Sequence, residues 1–191
     1  LFILGTSNIL IKSKNTKVTY NKNEIISASY VIPEDLEELD ENAPIILKGS
    51  FTGNRKIDED TNIVGPSTIS EFKVDKVYKG SIENDIISVL EPFEIKDNNF
   101  TNIEGYIPME ENKEYILFLR ENDISEGKQY TIKFISFGKY NTSKEDNIVN
   151  QKSSIKYLEE VKDSEFISES QEICDTYINI KGEVLDKYLY K

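Results

Sequence analysis

One cysteine, Cys174, and no histidine in 191 residues leave this chain without a disulfide framework or a His-ligated zinc to staple it. Whatever it folds into must be held by an apolar core. The length suffices for one domain with such a core, and 38% hydrophobic residues is an ordinary supply. The same two absences remove the Ser–His–Asp and Cys–His nucleophile arrangements from its chemistry.

From Pro44 onward the apolar pattern has the period of strands. Ile45-Ile46-Leu47 is a short continuous run ending near Gly49, as a buried strand would be. A polar loop rich in Asn and Asp leads through Pro66 to Ser67–Tyr78, where Phe72 and Val74 alternate with charged residues. Lys79-Gly80 turns the chain into Ile86–Leu90, and a long loop holding Asp97-Asn98-Asn99 and Gly105 precedes Tyr115-Ile116-Leu117-Phe118-Leu119. The last run, Tyr130–Phe137, alternates Tyr130, Ile132 and Phe134 with polar neighbours and stops at Gly138. Five strands over about 95 residues predict a small barrel or sandwich. Its core should include Leu47, Phe72, Val74, Val89, Leu117, Ile132 and Phe134. Phe118 points the other way, under a C-terminal helix.

The flanks differ in character. Residues 1–32 read as an N-terminal extension with short β-like runs, Ile9-Leu10-Ile11 and Val18-Thr19-Tyr20. The apolar Leu1–Leu4 is broken by Gly5-Thr6-Ser7-Asn8 and follows no initiator Met or basic segment. It reads as an ordinary strand, or as the stub of a lost leader or anchor. Pro33–Glu41 reads as a short acidic helix with Leu36 and Leu39 on one stripe. Beyond Tyr140, residues 141–152 form a polar linker, and Ile155, Leu158 and Val161 mark a short helix. Ser168 with Gln171 fits a capping box opening a longer helix striped by Ile173, Tyr177, Ile180, Val184 and Tyr188. The expected architecture is mainly β with added α: residues 33–140 form the barrel, and residues 141–191 pack one or two helices on it, in one globular unit.

The net charge of −12 is spread along the chain, which opposes binding to a phosphate backbone. Only Arg55 and Arg120 offer planar, bidentate cations. No stretch approaches the roughly 20 apolar residues of a membrane helix.

The order of segments resembles a known superfamily. It rests on Pro33-Glu34-Asp35-Leu36-Glu37-Glu38-Leu39, Pro44-Ile45-Ile46-Leu47-Lys48-Gly49 and Phe72-Lys73-Val74-Asp75-Lys76-Val77-Tyr78-Lys79-Gly80. Glu114-Tyr115-Ile116-Leu117-Phe118-Leu119 and Phe137-Gly138-Lys139-Tyr140 extend it. Together these resemble secreted bacterial proteins with an OB-like barrel, similar to the netrin-like domain and the tissue inhibitors of metalloproteases. The resemblance implies an extracellular or surface-anchored domain, such as a lipoprotein. Those inhibitors present an N-terminal cysteine to the protease zinc. This chain has Leu1 there and its cysteine at position 174, so that chemistry is not expected.

Candidate chemistry is sparse. Asp58, Asp60 and Asn62 alternate like the start of a calcium loop, but Ile63 and Ile69 stand where such a loop needs Gly and a carboxylate. Glu110 with Glu111, or Glu94 with Asp97, would be the carboxylates of an acid-pair hydrolase. Tyr130, Lys133, Phe134, Lys139 and Tyr140 form a small set of the kind that binds nucleic acid, but the overall charge opposes it and the aromatics among them read more simply as barrel core. Cys174 reads as a buried small hydrophobe. The expectation is a non-enzymatic binding domain for another protein or a surface polymer, with no cofactor, no metal and no nucleic-acid partner. The alternatives are an enzyme inhibitor or regulator acting through the barrel rim, and an acid-pair hydrolase. The two long loops, Gly53–Pro66 and Pro92–Pro108, supply the candidate contact residues Asn54, Arg55, Asp58, Asp60, Asp97, Asn98 and Asn99.

Overall fold

The structure, a computed structural model, describes residues 17–26, 31–59, 65–124, 127–143, 148–150 and 155–190. Ile9-Leu10-Ile11 and Asp60 lie outside the described residues. Five strands close the expected barrel: β2 (Ile45–Ile57), β3 (Thr68–Lys79), β4 (Ile86–Glu91), β7 (Glu114–Ile124) and β8 (Gly127–Ile132). Their order around the barrel is β2-β3-β4-β8-β7, and β7 pairs back onto β2. Every ladder is antiparallel except β4–β8, which is parallel at Val89↔Tyr130 and Leu90↔Thr131. That order and its single parallel closure are compatible with an OB-like fold.

The continuous apolar runs now have a cause: β2 and β7 are buried on both faces. Leu47 and Leu117 stand opposite each other inside the barrel, with Phe72, Val89 and Ile132 around them. Their neighbours Ile46 and Phe118, also paired, face outward into a second apolar layer. That layer is capped by α1 (Leu36–Asn42) and α2 (Gln171–Tyr188) through Leu36, Leu39, Tyr177, Ile180 and Val184. Asp35 caps α1 by accepting from the Glu38 amide. Gly49 is required in β2, because a Cβ there would stand 2.0 Å from the Lys73 carbonyl oxygen of the adjoining strand.

Several boundaries differ from the sequence reading. The final barrel strand ends at Ile132, not Phe137. Phe134 and Ile135 both take φ 55° and lead into a 3₁₀ turn, Ile135–Gly138. Phe134 thereby leaves the barrel interior and packs half-buried against the outer layer. Gly138 permits this reversal, since a Cβ would meet the Lys133 carbonyl oxygen at 2.0 Å. The chain then returns as β9 (Lys139–Asn141) along β7. The stretch Pro92–Pro108 is no open loop. It holds a hairpin of β5 (Phe93–Lys96) and β6 (Asn99–Ile103), and β1 (Thr19–Ile26) adds to β6 in parallel. Phe93, Phe100 and Tyr106 are buried, so their side chains demand the ordered backbone. Likewise β2 takes in the start of the Gly53–Pro66 segment, as far as Ile57.

At the C-terminus two short strands, β10 (Val149–Asn150) and β11 (Ile167–Ser168), pair in parallel. A 3₁₀ turn, Leu158–Glu160, replaces the expected short helix. The N-cap of α2 is Ser170, not Ser168; the Ile173 amide donates to its hydroxyl at 3.3 Å. The described residues hold two α-helices, of which one is C-terminal.

Phe118 joins the layers. It is fully buried and meets Tyr140 and Tyr188 edge-on at centroid distances of 5.9 and 6.0 Å. Truncation to alanine should cost about 3–5 kcal/mol, measured as a drop in the urea midpoint at unchanged m-value. A loss under about 1 kcal/mol would contradict the docking of α2 on this strand.

Candidate functional site

Two buried ionic clusters occupy the ground between barrel, hairpin and helix. The first begins with a bulge in β2. Phe51 pairs with Phe72 and Arg55 with Ser70, so Thr52, Gly53 and Asn54 face Glu71 alone. The Thr52 hydroxyl and the Asn54 amide both donate to Glu71 Oε1, at 2.8 and 3.2 Å. Beyond the bulge the Arg55 guanidinium lies 4.0 Å from the Phe51 ring centroid and donates to the Met109 carbonyl at 2.5 Å. It forms an ion pair with Glu91 at 3.5 Å.

Glu91, fully buried, ends β4 on the face of Ile87 and Val89. It accepts from the Ser70 hydroxyl, from the Tyr106 hydroxyl at 2.8 Å and from the Met109 amide at 2.8 Å. Its lone pairs are therefore occupied by internal donors, and the arrangement pins the Ile107–Met109 segment to the barrel. Beside it, the buried Lys139 ammonium donates to the Ile107 carbonyl and sits 4.3 Å from the Tyr106 ring centroid. Burial pushes its pKa down to about 8, while Glu91 and Glu165 pull it upward. In the second cluster Glu165 accepts from Lys181 and from the Asn141 amide at 3.1 Å. The Tyr177 hydroxyl sits between Glu165 and the Lys139 carbonyl, at 2.5 and 2.7 Å.

Two concavities adjoin these clusters. One, of about 70 Å³, is lined by Arg55, Ile107, Met109, Glu110, Leu158 and Lys162; that is room for about two waters. The other is an open polar groove of about 660 Å³ along Lys113, Glu114, Asn141, Thr142, Ser143 and Asp163. Among the described residues no group of three or more Cys, Asp or Glu is placed to hold a metal ion, and no helix is long and apolar enough to cross a membrane.

The sequence-predicted contact residues fall in two places. Asn54, Arg55 and Asp58 follow one another at the end of the β2–β3 hairpin, where Ser67 donates to Asp58 at 3.3 Å. Asn54 is exposed, whereas Arg55 is half-buried and turned toward Glu91. Asp97 and Asn98, with φ 50° and 61°, form the exposed turn between β5 and β6, and Asn99 opens β6. Of the carboxylates considered for hydrolysis, Glu110 pairs with Lys113 at 3.0 Å and Glu94 is half-buried on β5. Tyr130, Lys139 and Tyr140 are buried and present no stacking platform. Sequence reasoning missed Glu91, Glu165 and Lys181, and named Lys139 only as a candidate nucleic-acid contact, not as a buried cation. Glu91 was detectable, because it continues the inward alternation of Ile87 and Val89. Lys181, four residues after Tyr177, falls on the apolar stripe of α2.

No protein-family model and no curated protein sequence matches the chain.

The Lys139 environment makes a signed prediction. Its charged form is disfavoured in the fold, so the penalty is full below pH 8 and fades as pH approaches the free-lysine value of 10.5. Above about pH 10 the buried Tyr106, Tyr140 and Tyr177, whose pKa values burial raises, act in the opposite sense. Urea midpoints should therefore rise between pH 8 and 10 relative to those of Lys139→Met; parallel profiles would refute the assignment. Cys174 is buried on α2, and burial raises its thiol pKa. Ellman's reagent should label it only at the rate of unfolding, and immediate labelling of native protein would contradict this.

Proposed function

We propose that this chain is a non-enzymatic binding domain, secreted or held at a cell surface, whose ligand is another protein or a surface polymer. The reading keeps the kinship with netrin-like and metalloprotease-inhibitor barrels as a proposal about fold and compartment. One observation carries it: the barrel interior is packed solid while its outside is covered unevenly. Leu47, Phe72, Val89 and Leu117 fill the lumen, and α2 covers β2 and β7. The outer side of β3 and β4 keeps an exposed Ile86 and half-buried Ile69 and Leu90. A ligand meeting this molecule meets the outside of the sheet or its rim.

A second reading, regulation of an enzyme through the rim, is favoured by the β5–β6 turn. Asp97 and Asn98 form a tight exposed tip whose base is anchored by the buried Phe93 and Phe100. With Asn54, Arg55 and Asp58 of the β2–β3 hairpin, Asp97, Asn98 and Asn99 are the rim contacts of this proposal, and Asp60 joins them on its sequence position alone.

Immobilised protein should be tested against a peptide array and purified cell-surface polysaccharides, with any ligand eluted and weighed by mass spectrometry. Saturable capture with the ligand mass unchanged is expected. Recovery of a cleaved or modified ligand, or no saturable capture across the panel, would overturn the binding-domain reading.

A further inference from the structure

Cross-strand registry defines a strip on the uncovered side of the barrel. Lys56 stands opposite Ile69, Ile69 opposite Leu90, and Leu90 opposite Thr131. Directly paired residues share a face, so these four project outward together, while Ser70, Phe72 and Val89 between them are fully buried. Four residues further along β3, roughly 13 Å away, Lys73 stands opposite Ile86. Ile86 is 52% exposed, the most exposed large apolar residue of the barrel strands among the described residues. Glu71 and Ser88 lie between the two rows, and Glu71 is engaged by Thr52 and Asn54. The strip thus carries three aliphatic side chains with a lysine beside them at each end.

The charge of those lysines is not spent internally. Among the described residues neither Lys56 nor Lys73 has an ion-pair partner, whereas Lys48, Lys113, Lys128, Lys181 and Lys187 all do. In a chain of net charge −12, two cations without an ion-pair partner among the described residues, flanking the exposed Ile86 and the half-buried Ile69 and Leu90, form a local complement to an acidic, apolar ligand. Repulsion from the rest of the molecule is screened beyond about 8 Å at physiological salt, so the nearest charges decide. The strip has no outward aromatic residue, so it has no platform for stacking bases. A polyanion without apolar groups would leave Ile69, Ile86 and Leu90 unmatched.

We propose that the outer face of β3 and β4 is a docking strip for an extended acidic peptide of a partner protein, with carboxylates on Lys56 and Lys73 and apolar side chains on Ile69, Ile86 and Leu90. This rests on the binding-domain reading and narrows its ligand to one class. Fluorescence anisotropy with a labelled peptide alternating Glu and Leu tests it, alongside counterparts alternating Lys with Leu and Glu with Ser, and inorganic polyphosphate. The Glu–Leu peptide should bind saturably and more weakly at high salt. The double variant Lys56→Glu/Lys73→Glu, and separately Ile86→Asp, should each lower affinity about tenfold or more with an unchanged circular dichroism spectrum. Absence of saturable Glu–Leu binding, or unchanged affinity in both variants, overturns the strip. Equal binding of the Glu–Ser peptide or of polyphosphate overturns the peptide assignment. If a ligand from the wider panel still binds while the Glu–Leu peptide does not, only the strip fails; if neither binds, the binding-domain reading falls with it.

Discussion

A strand pair with both faces buried leaves no side for water, and the β2–β7 ladder is such a pair. Six consecutive residue pairs run from Ile45↔Leu119 to Ser50↔Glu114. Its inward members, led by Leu47 and Leu117, close the barrel; its outward members, led by Ile46 and Phe118, floor the helical layer. Each fully buried aliphatic or aromatic side chain is worth roughly 1.5–3 kcal/mol. The same backbone hydrogen bonds thus hold together both layers. Without this ladder β2 would become an open edge, and α2 would have nothing apolar to cover.

The ionic clusters solve a different problem. Pro108 and its neighbours must cross from the hairpin to β7, and a crossing segment has backbone groups that no ladder satisfies. The carboxylate of Glu91 takes the Met109 amide, while Arg55 and Lys139 take the Met109 and Ile107 carbonyls. Burying these charges is expensive, and a well-packed apolar replacement is often no less stable. What the apolar replacement lacks is direction: it would leave those backbone groups unpaired, at about 1–3 kcal/mol each. Glu165 does the same for the Asn141 amide at the end of β9. In a chain whose single cysteine allows no internal disulfide to fix its loops, buried charges perform that task.

The barrel was legible because its strands obey simple periods: alternation where one face is wet, continuous apolar runs where both are dry. The C-terminal stripe was legible for the same reason. Two kinds of feature were not. Phe134 continued the alternation of Tyr130 and Ile132, yet the strand stops because the backbone turns left-handed there, and periodicity carries no information about φ. The β5–β6 hairpin was hidden because its strands have four and five residues, too few to establish a period. Its turn nevertheless had a signal in Asp97-Asn98, two residues that tolerate positive φ. Among the site residues, the exposed ones stood out by composition. The buried charges Glu91, Lys139, Glu165 and Lys181 were masked by the surplus of surface acids and lysines around them.

Lysines on a β surface often serve only to discourage association between sheets, which raises the question of what Lys56 and Lys73 guard. That role belongs to edge strands, where unpaired backbone groups invite another chain. Lys73 stands on β3, paired on one side with Ser50 of β2 and on the other with Ile86 of β4, whereas Lys56 stands on the end of β2 that runs past the β7 ladder and is paired there with β3 alone. No backbone edge stands between Lys73 and Ile86 to be protected. Nor does local pairing explain them, since Glu71, the carboxylate between the rows, accepts from Thr52 and Asn54 instead. Lys73 protects no edge, and among the described residues neither lysine pairs with an internal acid, so both remain available to a charge from outside. The apolar side chains beside them are on a side of the barrel sheet that neither described helix covers.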